Sequence, residues 1–235
     1  MKVKLVSFDA AHTLIDVNWH PGGFAVLNAQ EAGLDLDPVP AAELYDRLLR
    51  SRWLHFRELN LTRDEALTDD FWNELTSDWL GQLGLSDIDA VALSERGRQR
   101  MYGPDSPCFR LYDDTLAGLD AVAALGLPMV VLSNWDISLH RTVRSLGIEG
   151  RFLKVFASLE HGVEKPETEL FRVVEQATGY APEEILHVGD HPLDDLQGAL
   201  GAGWHAALLD RGTELASRPR IPSLRHVPEA IAWIG

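Results

Sequence analysis

Three polar stretches follow directly on apolar runs: "FDAAHTLID" (8–16), "LSNWD" (132–136) and "HVGDHPLDD" (187–195). A fourth, "VEKPE" (163–167), leads into a helical pattern. Between them they supply Asp9, Thr13, Ser133, Asn134, Lys165, Asp190, Asp194 and Asp195. Singly, each is an ordinary turn former, cap or solvated charge. Together they make a chemical unit. Asp9 and Asp190, at neighbouring strand ends, form an oxygen-rich site of few ligands that suits Mg²⁺ with several retained waters. The backbone carbonyl of Ala11 can add a ligand whatever its side chain. The Ser133 hydroxyl and the peptide N–H after it, at a strand-to-helix turn, cradle a phosphate, and Lys165 adds a point charge. A carboxylate beside a divalent ion and an ammonium can attack phosphorus, forming an aspartyl phosphate that water later cleaves.

That unit requires elements that bring the four stretches to one place. Apolar runs at 3–8, 128–133, 152–157, 184–189 and 205–210 read as strands. Between them Leu116, Leu119, Val122 and Ala123 recur at helical spacing, as do Leu139, Val143 and Leu146, and Leu170, Val174 and Ala177. Strands alternating with helices imply βαβ crossovers, so the fold class is α/β: a doubly wound, Rossmann-like parallel sheet. In such a sheet ligands sit outside the carboxyl ends of the strands, where these polar residues fall.

The stretch between the first and second strands breaks the alternation. Segments 22–33, 40–59, 63–83 and 88–101 read as helices, with stripes such as Phe71, Leu75, Trp79 and Leu80 and a cap at Thr62 with Glu65 three residues on. The expected organisation is a core of 1–16 and 105–235, interrupted by an all-helical insertion at 17–104. "YGPDSP" (102–107) serves as the return linker and "EAIAWI" (229–234) as a closing helix. Trp53, Trp72 and Trp79 are expected to fill the insertion's core, while Trp19 and His20, in "NWHPGG", stand at its hinge.

Composition narrows the function classes. With 46% hydrophobic and 24% charged residues the chain is an ordinary globular protein rather than a disordered or fibrous one. A net charge of −15 without a run of Lys or Arg argues against nucleic acid and anionic membranes as partners. The apolar stretch at the N-terminus is too short for a signal peptide, and no segment reaches the roughly 18 apolar residues of a membrane span, so a cytoplasmic location is expected. Cys108 is the sole cysteine and its "PCFR" context lacks a thiol-enzyme signature, so a structural role is expected.

The four motifs, in this order, resemble those of the haloacid dehalogenase (HAD) superfamily of hydrolases: "FDAAHT" for the nucleophile strand, "VLSN" for the phosphate strand, "EKP" for the lysine and "HVGDHPLDD" for the acidic metal motif. The insertion is similar to the type 1 cap of that superfamily. The resemblance implies that Asp9 is the nucleophile and that Ser133 and Asn134 hold the transferring group. Lys165 would neutralise that group and orient Asp9, and Thr13 would stabilise the first loop. It further implies that Asp9, the Ala11 carbonyl and Asp190 bind Mg²⁺, with Asp194 and Asp195 in support. A small phosphorylated molecule is the implied substrate; charge does not fix the oligomeric state.

One position departs from the pattern. Two residues after the nucleophile, the phosphatases of the superfamily place an aspartate that protonates the leaving oxygen and then activates water; here it is Ala11. Such assistance is typically worth about 10² to 10⁴ in rate, so a weak or specialised phosphatase is expected, with a non-catalytic or regulatory phosphate-binding protein as the alternative. Haloacid dehalogenases proper carry Tyr there and lack this acidic last motif. Phosphonoacetaldehyde hydrolases do carry Ala, but they resemble Schiff-base enzymes with a cap lysine, and the lysines here are Lys2, Lys4, Lys154 and Lys165, none in the insertion. "SNWD" and "HPGG" are more similar to the eukaryotic "HAD-like hydrolase domain-containing" group. His12 is the neighbouring titratable residue that could substitute as the acid.

Overall fold

The computed structural model describes residues 2–235. The chain divides into two compact units, Met1–Val17 with Arg110–Gly235, and Asn18–Phe109. In chain order, β1 (Leu5–Phe8) and β2 (Ile15–Val17) precede five helices: α1 (Pro21–Glu31), α2 (Pro38–Ser51), α3 (Trp53–Asn60), α4 (Glu65–Gln82) and α5 (Ala90–Met101). Then follow β3 (Phe109–Leu111), α6 (Thr115–Ala123), β4 (Met129–Ser133), α7 (Ser138–Ser145), β5 (Lys154–Ala157) and α8 (Thr168–Thr178). The chain finishes with β6 (Ile185–Gly189), α9 (Gly198–Gly201), β7 (His205–Leu209), β8 (Arg220–Ile221) and α10 (Val227–Ala232).

Six strands form one sheet in the order β5-β4-β1-β6-β7-β8, with every pairing parallel. Parallel strands between two helical layers are buried on both faces, which is why β1, β4 and β6 are buried along their whole length. On one face Leu5, Val130, Leu132 and Ile185 pack with Leu170, Phe171 and Val174 of α8 and with Trp204. The chain winds outward from β1 through β4 to β5, then returns to the other side of β1 for β6, so β1 is flanked by strands reached in opposite directions. That reversal opens a crevice at the carboxyl ends of β1, β4 and β6. The register brings the ends level: Phe8 pairs with Val131 and with Val188, so Asp9 emerges beside Ser133 and Asp190.

The helical unit has its own core. Trp79, Phe56, Leu75 and Leu80 are fully buried, the Trp79 indole N–H donates to the Ala41 carbonyl at 2.8 Å, and Tyr45 meets Trp79 edge to face. At Gly22 a side-chain carbon would stand 2.3 Å from the Ala42 carbonyl oxygen, so glycine is required where α1 and α2 cross. Trp79 fills the core as expected; Trp53 is exposed, and Trp19 lies edge-on to Trp72.

The sequence expectations need two local corrections. The single helix at 40–59 is two, parted at Arg52, whose φ and ψ of −110° and 6° leave the helical region. The N-cap of α4 is Asp64 rather than Thr62: the Asp64 carboxylate accepts from the Ala66 N–H, while Thr62 bonds the Leu59 carbonyl at the end of the preceding turn. A carboxylate at the N-cap also suits the positive end of the helix dipole. Among the described residues no helix is long and apolar enough to cross a membrane.

Candidate active site

β1 runs out at Phe8, and the Asp9 N–H continues the ladder by donating to the Val188 carbonyl at 2.9 Å, which fixes the backbone of the first site residue. Asp9 is 6% exposed. Its Oδ1 accepts from the Ser133 hydroxyl at 2.9 Å and from the Lys165 ammonium at 2.6 Å. Lys165, also buried, gives a second bond to Asp195 Oδ1 at 2.5 Å. Asn134 does not point its amide at Asp9; it clasps the main chain of Lys165, donating to the Lys165 carbonyl at 2.9 Å and accepting its N–H at 2.8 Å. The asparagine therefore sets the lysine's position, and the lysine sets the aspartate's.

After Asp9 the chain turns tightly. The N–H groups of Leu14 and Ile15 both point to the Ala10 carbonyl at 2.9 Å, and the turn places His12 at φ 58°. That left-handed conformation costs a residue with a side chain about 1–2 kcal/mol, so surrounding contacts must hold it. His12 is exposed, while Thr13 is fully buried and donates through Oγ1 to Asp190 Oδ1 at 3.1 Å.

The acidic motif bends back on itself through a wide π-type turn at Pro192–Gln197. This turn carries Asp195 under the end of β6, where its Oδ2 accepts the His191 N–H at 2.8 Å. Gly189 makes the approach possible: a side-chain carbon there would lie 2.2 Å from Asp195 Cγ. Asp194 faces outward toward His191, apart from the cluster. Of the neighbouring pair it is thus Asp195 that joins Asp9 and Asp190, with carboxylate oxygens of all three within 4.8 Å of one another.

Two further residues complete the arrangement: Ser7 and His187, which the sequence reading passed over. His187 lies in the middle of β6, fully buried, with Nε2 at 3.0 Å from Asp195 Oδ1 and Nδ1 at 2.9 Å from the Ser7 hydroxyl. A carboxylate only accepts, so Nε2 carries the hydrogen and Nδ1 accepts from Ser7. Phe171 and Trp204 meet the imidazole edge to face. The signal was present: Ser7 in "LVSF" and His187 in "ILHVG" are polar residues inside otherwise apolar strands, and the register pairs them directly.

Electrostatics follow from this crowding. Burial pushes the Asp9 carboxyl up to about 6; Lys165 opposes the rise, and the charge of Asp195 adds to it. Burial also works against charge on Asp195, but Lys165 and His187 outweigh it and hold that carboxyl well below the usual range. Asp190 is raised by burial and by Asp195, with the Thr13 hydrogen bond and His12 opposing. Burial keeps His187 low and hence neutral. Three carboxylates thus cluster around a site in which the ammonium of Lys165 pairs with two of them, Asp9 and Asp195. A divalent cation held there would supply the missing positive charge, and the donor set is the hard, all-oxygen kind that Mg²⁺ takes.

A family model of haloacid dehalogenase-like hydrolases matches residues 3–203. The chain belongs to the haloacid dehalogenase-like hydrolases. Among relatives of this HAD protein, haloacid dehalogenase-like hydrolase domain-containing protein 3 of Danio rerio is 28% identical over 216 residues, covering 89% of this chain and 86% of the relative. The phosphoserine phosphatase of Thermus thermophilus is 36% identical over 118 residues, 50% of this chain and 47% of that enzyme. Of solved structures, the 2-haloacid dehalogenase of Pseudomonas syringae pv. Tomato DC3000 superposes with a TM-score of 0.69 at 23% identity, covering 99% of this chain and 100% of that one, a likeness of fold.

Proposed function

We propose that the chain is a Mg²⁺-dependent phosphohydrolase that acts on a small phosphorylated metabolite through an aspartyl phosphate on Asp9. The observation that carries this reading is the grip on one oxygen of that carboxylate. Ser133 and Lys165 both bond Oδ1, and among the described residues no side chain bonds Oδ2. Asp9 is thus oriented by one oxygen, and the other can attack.

In the proposed reaction an Asp9 oxygen forms a bond to phosphorus as the ester P–O bond breaks, and the leaving oxygen departs with the electron pair. Water then attacks phosphorus, the P–O bond to Asp9 breaks, and the carboxylate and inorganic phosphate are regenerated. Lys165 and the Ser133 hydroxyl steady the charge on the transferring oxygens, with Asn134 holding the lysine in place. Asp9, the Ala11 carbonyl and Asp190 would hold Mg²⁺, with Asp195 beside them; when bound, the ion neutralises the carboxylates and polarises a phosphoryl oxygen. The residues at 18–109 serve as the cap that selects the substrate.

Ala11 sets the substrate chemistry. No carboxylate at that position gives a proton to the leaving oxygen, so esters whose leaving groups depart as stable anions are favoured over alkyl phosphates. The same alanine supports a second reading, in which the site retains phosphate binding without useful turnover. Purified protein with Mg²⁺ and p-nitrophenyl phosphate, followed by a panel of metabolite phosphates, separates the two. Turnover should appear with the aryl ester, fall in chelator and vanish in Asp9→Asn. Phosphate binding with no Asp9-dependent turnover anywhere on the panel would overturn the enzyme reading.

A further inference from the structure

The residue that follows β7 by two positions, Arg211, is used by none of the steps above. It stands at the same carboxyl edge of the sheet as the site residues, one strand further out than Asp190. Its guanidinium donates to the His12 carbonyl at 2.8 Å through Nη1 and to the Thr13 carbonyl at 2.8 Å through Nη2. The same Nη2 reaches Asp114 Oδ1 at 3.0 Å, and the group lies over the Tyr112 ring at 3.8 Å from its centroid. Asp114 is itself fixed, its Oδ2 accepting from the Ser223 hydroxyl and the Leu224 N–H at 2.9 Å each.

We propose that Arg211 is a positioning residue that clamps the nucleophile loop in its metal-binding shape. The inference rests on the reading of the Ala11 carbonyl and Asp190 as metal ligands, and it concerns what holds them there. His12 adopts φ 58°, an unfavourable conformation for a non-glycine residue, and one rigid fork bonds the carbonyls of this residue and the next. A planar guanidinium with fixed donor spacing can bridge two carbonyls at once, and an ammonium cannot. Thr13, whose carbonyl is held, gives its hydroxyl to Asp190, so the clamp reaches a proposed metal ligand through a single residue. On the other side of His12 the clamp sets the peptide that carries the Ala11 carbonyl. Asp114 and the Tyr112 face pre-orient the arginine, so little side-chain freedom is lost when it grips the loop.

The test compares Arg211→Leu and Arg211→Lys with the wild-type chain by three measurements: amide hydrogen exchange, calorimetric Mg²⁺ titration, and aryl phosphatase kinetics at varied Mg²⁺. In R211L the amides of Leu14 and Ile15, which bond to the Ala10 carbonyl, should exchange about tenfold faster or more, while those of Val131 and Val188 in the sheet stay unchanged. The Kd for Mg²⁺ should rise about tenfold, and KM for the aryl phosphate at saturating Mg²⁺ should stay within about twofold, because charge-assisted bonds to a ligand-bearing loop are lost and substrate contacts are not. R211K should recover part of both losses. A folded R211L with unchanged exchange at Leu14 and Ile15 overturns the proposal; if R211L does not fold, the same comparison is made on R211K. A wild-type chain without turnover sinks the phosphatase reading, and the exchange measurement still decides whether Arg211 holds the loop.

Discussion

Lys165→Met tests the electrostatic heart of the site. Methionine keeps most of the aliphatic stem and removes the ammonium, leaving Asp9 and Asp195 buried together without their shared partner. Removing one partner of a buried ion pair costs about 3–5 kcal/mol. For a chain of this length each kcal/mol lowers Tm by about 2–4 °C, so a fall of about 6–20 °C is expected at pH 7.5 in chelator. The pH dependence carries the argument further. With its folded pKa raised to about 6, Asp9 binds its proton more tightly in the folded chain than in the unfolded one, so its burial penalty grows as pH rises through 4 to 6. Without Lys165 the folded pKa climbs further and the penalty keeps growing above pH 6. At pH 5 Asp9 is largely protonated in both proteins, and the gap between them should narrow by about 1 kcal/mol or more, since one pKa unit is 1.36 kcal/mol. Urea unfolding of both proteins at pH 5 and pH 7.5, in chelator, measures the two gaps. A loss below about 1 kcal/mol at pH 7.5, or an equal loss at both pH values, would refute the assignment of Lys165 as the counter-charge of Asp9.

Three other variants probe neighbouring parts of the site. Ala11→Asp should raise turnover of alkyl phosphates by about tenfold or more if the proton donor is the missing part, and an unchanged rate in a folded variant would show otherwise. Gly189→Ala forces a carbon to within 2.2 Å of Asp195 Cγ, so Asp195 must move; a loss of Mg²⁺ affinity with the sheet intact by circular dichroism is expected, and wild-type affinity would contradict it. His187 is kept neutral by burial while an unfolded histidine titrates near 6.5, so the unfolded chain takes up the extra proton and stability falls as pH drops below about 6.5. His187→Gln should remove this contribution, about 1.36 kcal/mol per pH unit in that window; the opposing slope from Asp9 is common to both proteins and drops out of the difference.

The four motifs were legible because each occupies the end of a strand or the start of a helix, where residue type reports directly on local geometry. The alternation of strands and helices was legible for the same reason, and it fixed which ends share an edge. Ser7 and His187 were harder to read because their meaning depends on register: only the pairing of β1 with β6 makes two isolated polar residues into partners. Arg211 follows a strand as Asp9 and Asp190 do, but its partners are main-chain carbonyls, which leave no trace in residue type. Asn134 was placed correctly at the strand end, while its grip on the Lys165 backbone depends on a contact spanning 31 residues. The break at Arg52 escaped because the stripes on either side are both helical and propensity alone does not mark the seam.

The central position of β1 has a consequence for how the chain is made. It is synthesised before the other strands of its sheet, and its two sheet neighbours begin only at Met129 and Ile185. At roughly 5–20 residues per second, β1 waits about ten seconds or more for its second neighbour to be synthesised. The helices at 21–101 emerge in the interval and can fold on their own contacts. The apolar "VKLVSF" segment therefore spends much of synthesis with one or both edges unpaired, the state in which intermolecular pairing is most favourable. Chaperone occupancy during translation should accordingly begin as β1 emerges and end only once β6 has emerged.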